Sequence, residues 1–163
     1  MIKLVASDLD GTLLHNYQQT VPKEIYDTIK ALHEKGIIFT AASGRQYANI
    51  RRLFAPLGFD IPYIAENGSM CVYKEEVLAT GLTPSKTIRH ILDALMEYRK
   101  IYHTGHCILS VKDTYYSDST DERFIDYMEN DMHNIVTYVP DLYAIKEPVS
   151  YTHLRAHETV LDL

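Results

Sequence analysis

The 163-residue sequence has little of three things: cysteine, long apolar runs and clustered positive charge. Its two cysteines, Cys71 and Cys107, lie far apart, which favours reduced, packed thiols over a disulfide framework. No apolar run approaches the roughly 18 residues that a membrane span needs, and Asp8 and Asp10 interrupt the first apolar stretch, which a secretory signal would sustain. The formal charge of -6 argues against a nucleic-acid-binding surface. We therefore expect a cytoplasmic protein that binds neither nucleic acid nor a membrane.

Apolar strand-like runs alternate with helical periodicity over the first 80 residues, which is typical of βαβ units around a parallel sheet. Residues 2–7 predict a first strand whose continuous apolar character suits a central position covered on both faces. A helix is expected from about Pro22, with Gly36 as its left-handed cap, and a second strand over residues 37–42. The fold class is therefore α/β.

Further elements before residue 82 are marked by their apolar patterns and by polar or glycine boundaries. They are a helix over residues 47–57, a third strand over 63–65, and a hairpin of strands 70–73 and 77–80 with its turn at 74–76.

The organisation changes near Leu82, where we place a domain boundary. Thr83 can act as the N-cap of a helix that follows Pro84. The later elements are a hairpin that pairs residues 107–111 with 115–116, a helix around 124–132 and a strand over 135–139. Residues 1–82 are therefore expected to form one module and residues 83–150 a second, α+β module.

Carboxylates follow the first predicted strand, and a hydroxyl follows the second. In open α/β sheets, ligands bind outside the carboxyl ends of the strands, so Asp8, Asp10 and Ser43 are expected to converge. A carboxylate at such a position can attack phosphorus and hold the group as an aspartyl-phosphate, a role we give to Asp8. Asp10 can protonate the leaving oxygen and then take a proton from water, which requires it to start protonated.

Binding groups for an anionic substrate are found beside these carboxylates. Ser43 and Gly44 supply a hydroxyl and a backbone N–H ahead of a predicted helix, where a phosphate oxygen is readily held, and Arg45 can add positive charge. Mg²⁺ prefers oxygen ligands and bridges to phosphate, so an oxygen of Asp8 and the backbone carbonyl of Asp10 are its expected ligands.

Three segments resemble motifs of a known family. D-L-D-G-T-L-L at residues 8–14 resembles the first motif of the haloacid dehalogenase-like phosphohydrolase superfamily, and A-A-S-G-R at 41–45 resembles its second. E-N-G-S at 66–69 resembles the third-strand turn of the Cof-type subfamily, although Asn67 and Gly68 by themselves favour a turn over a substrate contact.

The resemblance implies a Rossmann-like core into which an α/β cap is inserted after Leu82. It also implies that Asp8 is the nucleophile, Asp10 the acid and base, and Ser43 the phosphate-binding hydroxyl. It covers about residues 1–150.

The sequence departs from that family pattern after the cap. The family continues with a lysine and then a Gly-Asp-x-x-Asn-Asp type metal motif that completes the core sheet, and neither follows here. Residues 151–163 do not continue the expected cap strand and look like a foreign or frame-shifted end. We therefore expect a truncated member that lacks the C-terminal half of the core, and an inactive fragment is one outcome of that loss.

Several functions stay open at this stage. The preferred one is a Mg²⁺-dependent phosphatase that hydrolyses small phosphorylated metabolites, of the sugar phosphate kind, through an aspartyl-phosphate. A phosphomutase would share that intermediate but return the phosphoryl group to a bound sugar. A non-enzymatic phosphoacceptor module would keep the phosphoryl group to bias a partner interface, and Asp10 argues against it because such a module needs no acid for a leaving group.

Overall fold

The computed structural model describes residues 1–15, 18–112, 114–147, 149 and 151–155. The chain divides into two compact units, Met1–Gly81 and Leu82–Leu163. The strands are β1 (Leu4–Asp8), β2 (Ile38–Ala42), β3 (Tyr63–Ala65), β4 (Met70–Tyr73), β5 (Glu76–Thr80), β6 (His106–Val111), β7 (Thr114–Ser117), β8 (Val136–Tyr138) and β9 (Tyr151–Arg155). The helices are α1 (Lys23–Glu34), α2 (Tyr47–Phe54), α3 (Ser85–Tyr102) and α4 (Glu122–Asp126). None of these helices combines the length and the apolar composition needed to cross a bilayer.

The first unit is built on a five-stranded sheet in the order β1-β2-β3-β4-β5. Strands β1, β2 and β3 are parallel, whereas β4 and β5 are added as an antiparallel hairpin. The turn between β4 and β5 is made by Lys74 and Glu75, both with positive φ, as a tight two-residue hairpin turn requires. The predicted α/β class with a parallel core sheet is confirmed.

Helices α1 and α2 supply the apolar side chains that pack against this sheet. In α1 the residue at the centre of the apolar stripe, Ile29, is 1% exposed, and the helix is followed by Gly36 at φ +69°, the left-handed position predicted for it. In α2 the apolar residues Ile50, Leu53 and Phe54 are all buried. They pack in one hydrophobic cluster with residues of β2 and β3.

Strand β1 differs from its prediction. It was expected at the centre of the sheet, but it lies at one end of the five-strand order, and Ile2 and Leu4 are 68% and 54% exposed. An apolar run indicates that a strand can be buried. It does not indicate which elements cover the strand, because those elements come from other segments of the chain. Among the described residues no strand pairs with the outer edge of β1.

The second unit is a four-stranded sheet in the order β8-β7-β6-β9, covered by α3. Strands β6 and β7 form the predicted hairpin. Side chains of β6 alternate between two hydrophobic clusters, with Cys107 and Leu109 facing the one that contains Leu92 of α3, and Ile108 facing the one that contains Phe124.

Helix α3 begins differently from its prediction. Thr83 is not its N-cap; Pro84 holds that position without a side-chain hydrogen bond. The backbone N–H of Thr83 instead donates to the carbonyl of Val149 at 2.8 Å. A pairing partner so distant in sequence leaves no local signal, so the cap prediction was wrong.

The backbone of Tyr151–Arg155 forms strand β9, which pairs antiparallel with β6. The expectation that no cap strand continues from Tyr151 is therefore wrong for these five residues. The foreign origin of residues 151–163 stays a prediction, and residues 156–163 lie outside the described part of the chain.

Candidate active site

Strand register brings the sequence-predicted site residues to one edge of the first sheet. Asp8 is the last residue of β1 and lies opposite Ala42, the last residue of β2. The next residue, Ser43, donates its backbone N–H to the carbonyl of Ile64 in β3 at 2.9 Å. The carboxyl ends of all three parallel strands therefore meet here, where ligands bind in open α/β sheets.

Asp8 stands at this edge with an exposed side chain. Its Oδ2 accepts a hydrogen bond from Thr12 Oγ1 at 3.3 Å. The chain can return Thr12 to Asp8 because it turns sharply at Gly11, where φ is +82°. The turn is anchored by Leu9 and Leu14, which are 0% and 2% exposed. The Asp8 carboxylate is thus held by a short local turn and stays open to solvent.

The Asp10 side chain is held by Arg45. Arg45 Nη2 donates to Asp10 Oδ1 at 2.6 Å, and Arg45 Nε donates to Asp10 Oδ2 at 2.9 Å. The Arg45 side chain is 4% exposed, whereas the Asp10 side chain is 52% exposed. A buried guanidinium therefore binds an accessible carboxylate through two hydrogen bonds, the bidentate arrangement that arginine is well suited to form.

Two further residues complete the surroundings of Arg45. Its Nη1 donates to Gln19 Oε1 at 3.1 Å and to Asn49 Oδ1 at 3.3 Å. Sequence reasoning missed both acceptors. Asn49 lies in the first turns of α2, but Arg45 precedes that helix, so helical spacing does not pair the two, and Gln19 carries no sequence signal either. Arg45 was expected to offer charge to a phosphate; in the structure its guanidinium contacts Asp10, and the expected role stays a prediction.

Ser43 is 7% exposed, and its Oγ accepts the backbone N–H of Arg45 at 3.1 Å. A hydroxyl that accepts a hydrogen bond can still donate its own hydrogen, so the group is fixed in place and able to bind an anion.

The loop Ser43–Arg45 is hydrogen-bonded to a turn whose residues have unusual backbone conformations. Glu66, Asn67 and Gly68 have φ values of +52°, +55° and +89°, all in the left-handed region. The backbone N–H of Glu66 donates to the carbonyl of Arg45 at 3.1 Å, and that of Asn67 donates to the carbonyl of Ser43 at 3.2 Å. Unusual backbone conformations persist where the surroundings impose them, and they are common at functional sites.

Gly44 and Asn67 touch at this junction. A Cβ built on Gly44 would lie 2.8 Å from Asn67 Oδ1, closer than real Cβ contacts occur. Any other residue at position 44 would therefore have to displace the Asn67 side-chain amide.

The residues present fit a magnesium ion that is shared with a substrate. Among the described residues no group of three His, Cys, Asp or Glu side chains could hold a metal. The Asp10 carboxylate faces Arg45, so the available protein ligands are the Asp8 carboxylate and the Asp10 backbone carbonyl. Mg²⁺ is often bound by one or two carboxylates while waters and substrate phosphate oxygens fill its other positions.

A family model described as haloacid dehalogenase-like hydrolase matches residues 5–160 of this chain. The chain belongs to the haloacid dehalogenase-like hydrolases. The matched range includes residues 151–160, which are most of the segment expected to be foreign.

Relatives of this haloacid dehalogenase-like chain include named phosphatases. Phosphoglycolate phosphatase 1 of Saccharolobus solfataricus is 39% identical over 77 residues, which is 47% of this chain and 34% of the relative. Phosphoglycolate phosphatase of Staphylothermus marinus is 28% identical over 166 aligned residues, which is 99% of this chain and 67% of the relative. The solved structure of a haloacid dehalogenase-like hydrolase from B. subtilis matches with a TM-score of 0.75 at 20% identity, over 92% of this chain and 59% of that one. The aligned regions cover between 34% and 67% of the length of these relatives, so this chain spans only part of them.

Proposed function

We propose that this chain carries the phosphoryl-accepting site of a Mg²⁺-dependent phosphatase for small phosphomonoesters. The observation that carries the proposal is the exposed Asp8 carboxylate at the carboxyl end of a parallel strand, beside Asp10 and Ser43. Two relatives are named as phosphatases of phosphoglycolate, a small phosphomonoester, which supports a substrate of this size and charge. Both described cysteines are free thiols, which supports a reducing, cytoplasmic setting.

The chemistry has two displacements at phosphorus. In the first, an Asp8 oxygen attacks, the bond from phosphorus to the leaving oxygen breaks, and Asp10 gives that oxygen its proton. In the second, water attacks the aspartyl-phosphate, the bond from phosphorus to Asp8 breaks, and Asp10 takes the proton of the water. Inorganic phosphate leaves and both carboxyl groups return to their starting states.

The contact with Arg45 is compatible with this use of Asp10. Arg45 engages each Asp10 oxygen once, and each oxygen has a second lone pair on which the proton can be carried or received. Ser43 would hold a phosphate oxygen through its hydroxyl. A magnesium ion on the Asp8 carboxylate and the Asp10 carbonyl would supply positive charge to offset the repulsion between carboxylate and phosphate.

The test is to trap the phosphoryl group. The chain is incubated with Mg²⁺ and an aryl phosphate, and its intact mass and the released inorganic phosphate are followed over time. We expect a transient adduct of one phosphoryl group and continuing phosphate release, and neither in Asp8→Asn, which keeps the shape of the side chain. A stable adduct without release would favour a phosphoacceptor module, and transfer to an added sugar phosphate would favour a phosphomutase. No adduct and no release from the unaltered chain would overturn the proposal for this chain.

A further inference from the structure

We infer that Arg45 is a positioning residue for Asp10 and does not bind the substrate phosphate. The inference rests on the proposed function, because Asp10 matters only if a phosphoryl group is transferred beside it. It also reverses the role that the sequence motif suggests for Arg45, which is to offer its charge to the phosphate.

The hydrogen bonds of Arg45 leave little of its guanidinium for a ligand. Two N–H groups point to the oxygens of Asp10, and Nη1 lies between the acceptors of Gln19 and Asn49. Its side chain is 4% exposed, so it lies beneath the surface on which a phosphate would rest. At most one of the five guanidinium N–H groups is left without a protein acceptor, so a phosphate that took two of them would have to displace Asp10, Gln19 or Asn49.

The anchoring of Arg45 is stronger than an ion pair with Asp10 alone would provide. Its backbone N–H donates to Ser43 Oγ and its carbonyl accepts from Glu66, so both its main chain and its side chain are fixed. A guanidinium held at so many points can fix the direction of a carboxylate that is itself half exposed. The orientation of Asp10, the proposed acid and base, therefore depends on Arg45 and, through Arg45, on the positions of α2 and of Gln19.

The two possible roles of Arg45 affect different steps. With acetyl phosphate as donor, the bond from phosphorus to the acetyl oxygen breaks, the bond to Asp8 forms, and acetate leaves without needing a proton, so the proton of the half-exposed Asp10 passes to solvent. Hydrolysis of the adduct does need Asp10, which takes the proton of the attacking water while phosphate departs from Asp8. A positioning residue should therefore slow hydrolysis and spare phosphorylation, whereas a phosphate ligand should weaken phosphorylation.

The experiment measures both rates on the unaltered chain and on Arg45→Gln with Mg²⁺ and acetyl phosphate, from the time course of the phosphoryl adduct by intact mass. Misplacing a catalytic group by about 1 Å costs about 100-fold in rate, so we expect adduct hydrolysis to slow by about that factor. The concentration of acetyl phosphate that half-saturates adduct formation should change less than about twofold, since no phosphate contact is lost on this account. Arg45→Lys keeps the charge but cannot form two parallel hydrogen bonds to Asp10. Its rate of adduct hydrolysis should lie between those of the unaltered chain and of Arg45→Gln.

Three controls make the outcome specific. Asp10→Asn should reproduce the slow hydrolysis, and combining it with Arg45→Gln should add little further effect, because both changes remove the same function. Arg51→Gln removes an arginine that pairs with Glu75 at the surface of the same unit and should change neither rate. If Arg45→Gln fails to fold by circular dichroism, Gln19→Ala, which removes one acceptor of Arg45, should slow hydrolysis by a smaller factor in the same direction.

The results separate this inference from the proposed function. Normal hydrolysis in Arg45→Gln, or a large rise in the half-saturating acetyl phosphate with hydrolysis unchanged, would overturn the positioning role while leaving the phosphatase proposal standing. Absence of any adduct in the unaltered chain would overturn both.

Discussion

The side-chain amide of Asn67 lies directly against Gly44, where a Cβ would approach its Oδ1 to 2.8 Å. The contact joins the loop after β2 to the turn after β3, and the backbone hydrogen bond from Asn67 to Ser43 reinforces it. The position of the Ser43 hydroxyl therefore depends on a residue that is 24 positions later in the chain.

The first prediction concerns this contact. Gly44→Ala should destabilise the first unit by about 1 to 3 kcal/mol, since an added methyl group must displace the Asn67 amide. Asn67→Gly tolerates the left-handed φ of +55° and removes the obstructing side chain. Urea unfolding of both single variants and the double variant checks this: Gly44→Ala should cost clearly less when Asn67 is already glycine. An equal cost in both backgrounds would contradict the contact.

The second prediction concerns the ion pair of Arg99 and Asp118 in the second unit. Arg99 Nη1 and Nη2 contact the two Asp118 oxygens at 2.6 and 2.8 Å, and Arg99 Nε donates to the carbonyl of Gly105 at 3.0 Å. The Asp118 side chain is 8% exposed, so Arg99→Gln should cost about 3 kcal/mol by leaving a buried carboxylate without its partner.

Removing the carboxylate charge as well provides the control. The double variant Arg99→Gln with Asp118→Asn should be more stable than Arg99→Gln alone, because it no longer buries an unpaired charge. Urea unfolding measures both. A double variant that is less stable than the single one would show that the loss comes from packing of Arg99.

The third prediction is a dependence of stability on pH. Asp121 caps α4 by accepting the backbone N–H of Arg123 at 2.9 Å and that of Phe124 at 3.4 Å. The hydrogen bond from Arg123, followed by that from Phe124 and the charge of His106, lowers the pKa of the Asp121 carboxyl in the folded state. A lowered pKa means that this stabilisation is present above the pKa of the unfolded chain and is lost as the pH falls through the folded value.

Asp121→Asn keeps a capping oxygen but cannot titrate, so it isolates the charge. We expect the urea midpoint of the unaltered chain to exceed that of Asp121→Asn at neutral pH and the two to converge as the pH is lowered toward 3, roughly the acid range of aspartate. A constant difference across this range would show that the charge of Asp121 contributes nothing. Asp121→Ala should remain less stable than both at every pH.

The fourth prediction concerns the two thiols. Cys107 is 0% exposed, and burial raises the pKa of its thiol to about 12, with the negative charge of Asp118 adding to the effect. Alkylation requires the thiolate, so at pH 8 the folded chain should react quickly at the half-buried Cys71 alone, and Cys107 should react only after urea is added. Cys71→Ser provides the matched control, since it should leave the folded chain almost unreactive. Rapid labelling of Cys107 in that variant would contradict its burial.

Much of the first unit could be predicted from the sequence because the decisive signals are local. The left-handed position of Gly36 follows from where the apolar stripe of α1 ends, and the neighbouring strand ends of Asp8 and Ser43 follow from the general behaviour of parallel strands. These features depend on the order of elements and on a few residues at their boundaries.

The target of Arg45 could not be predicted in the same way. A guanidinium on a long side chain can reach either a bound phosphate or a neighbouring carboxylate, and the choice depends on where Gln19 and Asn49 come to lie. The same limit explains the error at Thr83, whose backbone partner Val149 is distant in sequence. Contacts of this kind are determined by the assembled fold, so a local sequence pattern does not reveal them.

The division between Met1–Gly81 and Leu82–Leu163 falls at a single peptide bond, and the hydrophobic clusters on either side share no residue. Asp8, Asp10 and Ser43 all lie in the first unit, whose hydrophobic cluster includes Leu9, Leu14 and Ile50. The residues proposed to do the chemistry are therefore encoded by one continuous stretch of the gene, which ends at the codon for Arg45.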